Sequence, residues 1–224
     1  MSNVTVNGII ISSMPIGEYD RRVEILTADL GRISAFASGA RKPSSELVAA
    51  SRVFALGTFE LYQGRNSYNV RHARISEFFT NLSEDIELTG YGFYFLEVCR
   101  YFSRENMDAS DMLNLLYYSL KAIGSENFDN RLVRAVFEIK MLDINGLCPD
   151  ISRISSPDDR FSIGHELMPD TVYTLKYVIN ASPDKIYTFR LSDEVLAEFT
   201  SVADRLMKLL VDKEFHSLDI ISQQ

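Results

Sequence analysis

Ile25-Leu26-Thr27-Ala28-Asp29-Leu30-Gly31-Arg32-Ile33-Ser34-Ala35-Phe36-Ala37-Ser38-Gly39-Ala40-Arg41-Lys42-Pro43-Ser44-Ser45 reads as two strands joined by a tight turn, then a basic loop entering a short helix. Asp29 and Gly31 suit turn positions that need unusual backbone angles. After the turn, Ile33, Ala35 and Ala37 fall on one strand face, and Ser34, Phe36 and Ser38 on the other. Gly39 breaks the strand, Pro43 sets the backbone for a helix start, and Ser44-Ser45 can cap it. A basic glycine loop between a strand and a helix is a place where backbone N–H groups and cations can converge on a phosphate. An ordinary solvated turn has the same composition, and the loop alone does not separate the two.

Working outward, Val4 to Ser12 is β-rich, Met14-Pro15-Ile16-Gly17 reads as a loop, and Tyr19 to Thr27 as a second strand. Residues 44–52 suit a short helix, Phe54 to Tyr62 a fourth strand, and Ser67 to Ser76 a fifth. Five short strands in about 75 residues, with a helix between the third and fourth, is the order of an oligonucleotide-binding (OB-fold) barrel. Tyr19, Phe36, Tyr62 and Tyr68 are interleaved with the arginines of this region. Aromatic side chains there either stack bases or pack the core. The sequence leaves both open.

Near residues 78–84 the hydrophobic period changes from two to 3.6. Glu84 to Arg104 reads as a central helix, apolar nearly all round. A second helix is capped by Asp108 or Ser110 and closed by Gly124, and a third runs from about Asn130 to Ile144. Pro169 opens another helix to about Asn180, and Ser192 caps the last. The fold class expected is α+β, with an OB-fold barrel over 1–80 followed by an all-α bundle over 81–224. The bundle carries an irregular insert at about 147–168.

The chain has 224 residues and a net charge of −8, which by itself argues against nucleic acid. The distribution says more. Residues 1–80 hold nine cations against seven anions, a balance of +2, whereas the rest holds fourteen against twenty-four, a balance of −10. Arg outnumbers Lys eight to one in the front part, which favours planar contacts to phosphate and stacking on bases. No run of 18 apolar residues exists, so no membrane span is expected. The start carries no visible signal peptide, and Cys99 and Cys148 read as free thiols of a reducing cytoplasm. No P-loop, Gly-x-Ser-x-Gly or His-Glu-x-x-His is present, and His72, His165 and His216 are scattered, so no enzyme and no cofactor are expected.

The run Gly17-Glu18-Tyr19-Asp20-Arg21-Arg22, followed by Leu26-Thr27-x-x-x-Gly31-Arg32-Ile33-x-Ala35-Phe36-Ala37-x-Gly39-Ala40-Arg41-Lys42-Pro43-x-Ser45, resembles the N-terminal signature of the RecO family of recombination mediators. Phe137-Glu138-x-Lys140-x-Leu142-x-x-x-Gly146-x-x-Pro149 resembles the family's helix leading into its zinc module. The resemblance covers essentially the whole chain. It implies a DNA repair and homologous-recombination factor that binds single- and double-stranded DNA and anneals complementary strands. With RecR, such a factor helps load RecA onto strands coated by single-stranded-DNA-binding protein (SSB). By motif, the basic face maps onto Arg21, Arg22, Arg32, Arg41 and Lys42. Charge alone adds Arg65, Arg71 and Arg74.

The resemblance also implies four zinc-binding cysteines in many members. Here the first pair would fall near Ile154 and Pro157, and Cys148 stands alone, so no metal is expected and the insert should be shorter or held by packing instead. An acidic, apolar SSB C-terminal tail would want a basic-rimmed apolar pocket, for which Arg131, Arg134, Lys140 and Arg205 are the candidate rim. A competing expectation is a protein–protein adaptor with weak or no DNA binding, because a +2 balance is low for a DNA-binding barrel.

Overall fold

The computed structural model describes residues 3–64 and 67–217. Five strands close a barrel: β1 Asn3–Ile16, β2 Asp20–Thr27, β3 Gly31–Ala37, β4 Leu56–Gln63 and β5 Tyr68–Glu77. Their order around the barrel is β1-β2-β3-β5-β4, with β4 returning to β1 and one parallel pair, β3 with β5. This is the expected OB-type arrangement. The alternation predicted for β3 is what the barrel uses: Ile33, Ala35 and Ala37 are buried and Phe36 is half-exposed on the outer face. Val6, Ile10, Val23, Ile25, Phe59, Leu61, Tyr68 and Val70 complete the interior.

Met14-Pro15-Ile16 is strand, not loop. Met14 pairs with Arg22, Pro15 with Arg21 and Ile16 with Asp20. The described pairing of β1 with β4 ends at Ile9, so Pro15 sits where its missing N–H costs no ladder bond. The helix expected over 44–52 shrinks to one turn, α1 Leu47–Ala50. The chain must turn back sharply here: Phe54 takes a left-handed φ of 70°, and its N–H donates to Ile10 O.

The β2–β3 turn is closed by the buried Thr27 hydroxyl, which donates to Gly31 O and accepts the Leu30 N–H. A 3-10 turn, Thr80–Ser83, leads into α2 Ile86–Phe102, whose N-cap Asp85 accepts the N–H groups of Glu87 and Leu88. The loop after α2 lies against the β2–β3 turn: Arg32 N–H donates to Arg104 O, and Asn106 N–H to Leu30 O.

The remaining helices are α3 Ser110–Ala122, α4 Asn130–Ile144, α5 Ile151–Ile154, α6 Pro169–Asn180 and α7 Asp193–Leu210. The described residues of 1–89 and 93–113 pack as one compact unit, and those of 90–92 and 114–224 as a second. In the second unit α4 is the hub. Val133, Val136, Phe137, Met141 and Leu142 are all fully buried, and Arg134 ties it to Asp204 of α7 at 2.8 Å. The Tyr187 hydroxyl, 2.6 Å from the Ser119 hydroxyl, donates to Val133 O.

Candidate nucleic-acid interface

The strand register sets out a row of side chains across the outside of the barrel. Met14 pairs with Arg22, Arg22 with Phe36, Phe36 with Asn69, and Asn69 with Tyr62. Side chains at paired positions share a face, and the strand neighbours Val23, Ala35, Tyr68 and Leu61 all point into the core. From Arg22 to Tyr62 the row crosses three strand spacings, about 14 Å. The Arg71 guanidinium lies 5.1 Å from the centre of the Tyr62 ring.

Beside this row, two connections meet. The β1–β2 turn carries Tyr19, 45 % exposed, and the loop after β3 carries Arg41 and Lys42. Lys42 Nζ sits 5.3 Å from the centre of the Tyr19 ring, and Arg41 Nη1 donates to Gly17 O. The loop does not offer a cradle of backbone donors. Gly39 N–H donates to the Asp20 carboxylate at 2.7 Å, Ala40 N–H to Ala37 O, Arg41 N–H to Tyr19 O and Lys42 N–H to Gly39 O. The reading of these N–H groups as a phosphate cradle is therefore corrected: they hold the loop in shape, and what the loop turns to solvent includes the Arg41 and Lys42 side chains.

The other cations divide clearly. Arg22 is exposed on the outer row, its Nε donating to the Ser34 hydroxyl at 3.0 Å. Arg21 lies on the inward side of β2 with Val23. Its Nη1 donates to Ser13 Oγ, and its Nε is buried without a hydrogen-bond partner. Arg32 is engaged within the fold, bonding Ser103 O and the Glu24 carboxylate, which also takes Arg100 at 2.6 Å. Arg74 is exposed but pairs with Thr58, about 13 Å along the strand from Tyr62. Arg65 lies outside the described residues. The structure thus gathers Arg22, Arg41, Lys42 and Arg71 with Tyr19, Phe36 and Tyr62. Tyr68 belongs to the core at 6 % exposure. Met14 and Asn69 had no signal in the sequence, because only the register places them in the row.

The segment 147–168 does not fit zinc. Ile154 is fully buried where a ligand would stand, and Cys148 is half-buried. Burial, with the Asp143 carboxylate nearby, pushes its thiol up to about 11, away from the thiolate a metal needs. His165 stands 3.6 Å from Glu198, and among the described residues no three His, Cys, Asp or Glu gather to hold a metal. What fills the place is a clasp. Guanidinium carbons of Arg153 and Arg160 lie 4.6 and 4.5 Å from the centre of the Phe161 ring, within cation–π range. Asp159 binds Arg153 at 3.0 Å and accepts the Phe161 N–H. Arg205 donates to Arg160 O at 2.9 Å.

Of the four cations considered for a tail-binding rim, three sit in ion pairs: Arg131 with Asp129, Arg134 with Glu138 and Asp204, and Lys140 with Asp143.

A closed OB-type barrel followed by a helical unit places the chain in an architecture whose barrels bind oligonucleotides and oligosaccharides. Comparison with known sequences narrows it. Residues 1–79 match the family "Recombination protein O N terminal" and residues 83–219 match "Recombination protein O C terminal". The chain is 26 % identical to the DNA repair protein RecO of Acetivibrio thermocellus, over 99 % of this chain and 97 % of that one. It is likewise 26 % identical to the DNA repair protein RecO of Alkaliphilus metalliredigens, over 97 % and 98 %. A third relative, the DNA repair protein RecO of Listeria monocytogenes, is 28 % identical over 65 % of this chain and 57 % of that one. The chain belongs to the recombination protein O (RecO) family. Among the described residues no helix is long and apolar enough to cross a membrane.

Proposed function

We propose that the chain is a DNA repair and recombination mediator that grips the DNA backbone, single- and double-stranded, and anneals complementary strands. With RecR it helps load RecA onto SSB-coated single strands. In this reading no bond is made or broken, in keeping with relatives that are named DNA repair proteins. In this reading residues 1–80 hold DNA and residues 81–224 carry partner contacts, including that with the SSB C-terminal tail. The protein works in the cytoplasm, at the nucleoid when active.

The observation that carries the reading is the convergence of Arg22, Arg41, Lys42 and Arg71 with exposed aromatics on one part of the barrel surface. Four exposed cations supply salt-dependent, sequence-independent affinity. Bonds to base edges are not needed for annealing. The adaptor reading has its own support, since Arg21 and Arg32 are held inside the fold and the loop's N–H groups are used.

Titration of fluorescent single-stranded DNA with wild type and with Arg41→Glu/Lys42→Glu separates the two. The expected result is weaker binding, slower annealing, and a log–log salt slope that shrinks by about 0.7 for each phosphate no longer neutralised. A double variant that anneals as well as wild type removes the loop from the site. A wild type with no salt-sensitive affinity makes the adaptor reading the better one.

A further inference from the structure

The outer row of the barrel carries side chains that water alone does not explain. On a sheet face turned to solvent, the positions alternating with the core are expected to be polar. Here they are Met14, 53 % exposed, with Phe36 and Tyr62 both half-exposed, and Arg22 and Asn69 between them in register. Ile16, on the same outer side of β1, is 41 % exposed. Large flat or apolar groups are thus interleaved with cations along one line.

Phe36 and Tyr62 are separated by the single strand carrying Asn69, a span of about 10 Å. Arg71 stacks on Tyr62, which fixes that ring and places a cation at its edge of the row. Arg22, beside Phe36, is steadied by Ser34. Each aromatic therefore has its own neighbouring cation. That is the repeat an unpaired polynucleotide presents, a flat base and a phosphate per unit.

A duplex presents only its phosphates along the backbone, because its bases are stacked on one another. The cations can serve either form of DNA. The rings can serve only one whose bases are free to leave the stack, and every base has a π-face, so no sequence preference is required.

We infer that Phe36 and Tyr62 form a base-stacking subsite that makes this barrel select single-stranded over double-stranded DNA, with Arg22 and Arg71 on the adjoining phosphates. This rests on the DNA-binding reading above and adds to it the part of the site that discriminates. The pair Arg41 and Lys42 contributes alike to both forms of DNA, so the two halves of the surface separate by mutation.

The test uses the full chain carrying Phe36→Leu or Tyr62→Leu, which keep apolar bulk and remove the ring. Binding to a fluorescent 20-nucleotide oligothymidine and to a 20-base-pair duplex is measured across a salt series. Each variant should bind the single strand about 10- to 100-fold more weakly, by loss of one stacked base. Duplex affinity should stay within about twofold, and for Phe36→Leu the salt slope should be unchanged, since Arg22 is held by the Ser34 hydroxyl and not by the ring. Phe36→Tyr, which keeps the ring, should restore single-strand binding. Unfolding midpoints close to wild type check that the surface changes leave the barrel intact. Equal losses on both DNAs, or undiminished single-strand binding by both leucine variants, would overturn the inference while leaving DNA binding standing. A wild type that binds duplex alone would do the same. A wild type that binds neither would remove the DNA-binding reading and the subsite together.

Discussion

Gly31 carries two constraints at once. Its φ of 65° is left-handed, and an added Cβ would meet Arg104 O at 2.0 Å. Only a glycine lets the β2–β3 turn lie this close to the loop after α2. Gly39 is the useful contrast. Its φ is 70°, but the nearest atom to an added Cβ is the flexible Lys42 side chain at 3.7 Å. Gly39→Ala should therefore cost about 1 kcal/mol, the left-handed penalty alone. Gly31→Ala should cost at least about 2 kcal/mol, because the neighbouring backbone must also move. Urea unfolding of both variants reads the difference. Equal costs would mean that the approach of Arg104 is not rigid. The same scale explains Arg32. It sits in the signature run beside Gly31, but its guanidinium is taken by a carbonyl 71 positions away and by Glu24. A residue's neighbours in sequence do not announce such a partner.

At the scale of elements, the helices were legible because their ends are chemically marked. Pro169 opens α6, Ser192 caps α7 with its hydroxyl on the Val195 N–H, and Gly124 follows α3 with a φ of 74°. The strand alternation that placed Ile33, Ala35 and Ala37 inside was equally local. The limit of β1 was not, because whether Met14-Pro15-Ile16 is strand depends on β2 lying alongside. The outer row was legible only as a set of candidate aromatics. Nothing local separates Tyr68, which is core, from Phe36 and Tyr62, which are not, since closure of the barrel decides it. The insert shows a third case, where one chemistry stands in for another. Among the described residues no set of ligands gathers for a metal, and Phe161 with Arg153 and Arg160 carries the fixing role. Phe161→Leu keeps most of the buried volume and removes both cation–π interactions, worth about 1–2 kcal/mol together. The thermal midpoint should fall by about 3–6 °C. A metal chelator should leave the wild-type midpoint where it is. A chelator-induced drop, or an unshifted Phe161→Leu variant, would show that something other than this clasp holds the segment.

Over the whole molecule, the charge is arranged so that range decides its sign. The chain carries −8, while Arg22, Arg41, Lys42 and Arg71, which the proposed reading puts against DNA, are exposed cations. Electrostatic screening extends about 8 Å at 0.15 M ionic strength and about 30 Å at 0.01 M. At the higher ionic strength an approaching strand feels mainly the cations it is about to touch. At the lower one it also feels the anions of the rest of the chain, whose sum repels it. A uniformly basic DNA-binding protein associates ever faster as salt is removed. This chain should not. Stopped-flow association with a fluorescent single strand should quicken as salt falls from about 0.2 M. It should then level off or slow below about 0.03 M, where the screening length is roughly twice its value at 0.15 M and takes in anions beyond the cations in contact. Dissociation depends on contacts already made, so it should continue to slow with falling salt throughout. Arg41→Glu/Lys42→Glu should lower association at moderate salt and bring the turnover to higher salt, because it removes local attraction and adds to the global repulsion. Association that rises without a break down to about 0.01 M would mean that the band's field outweighs the net charge at every distance, and that the acidic surplus has no bearing on how this protein meets DNA.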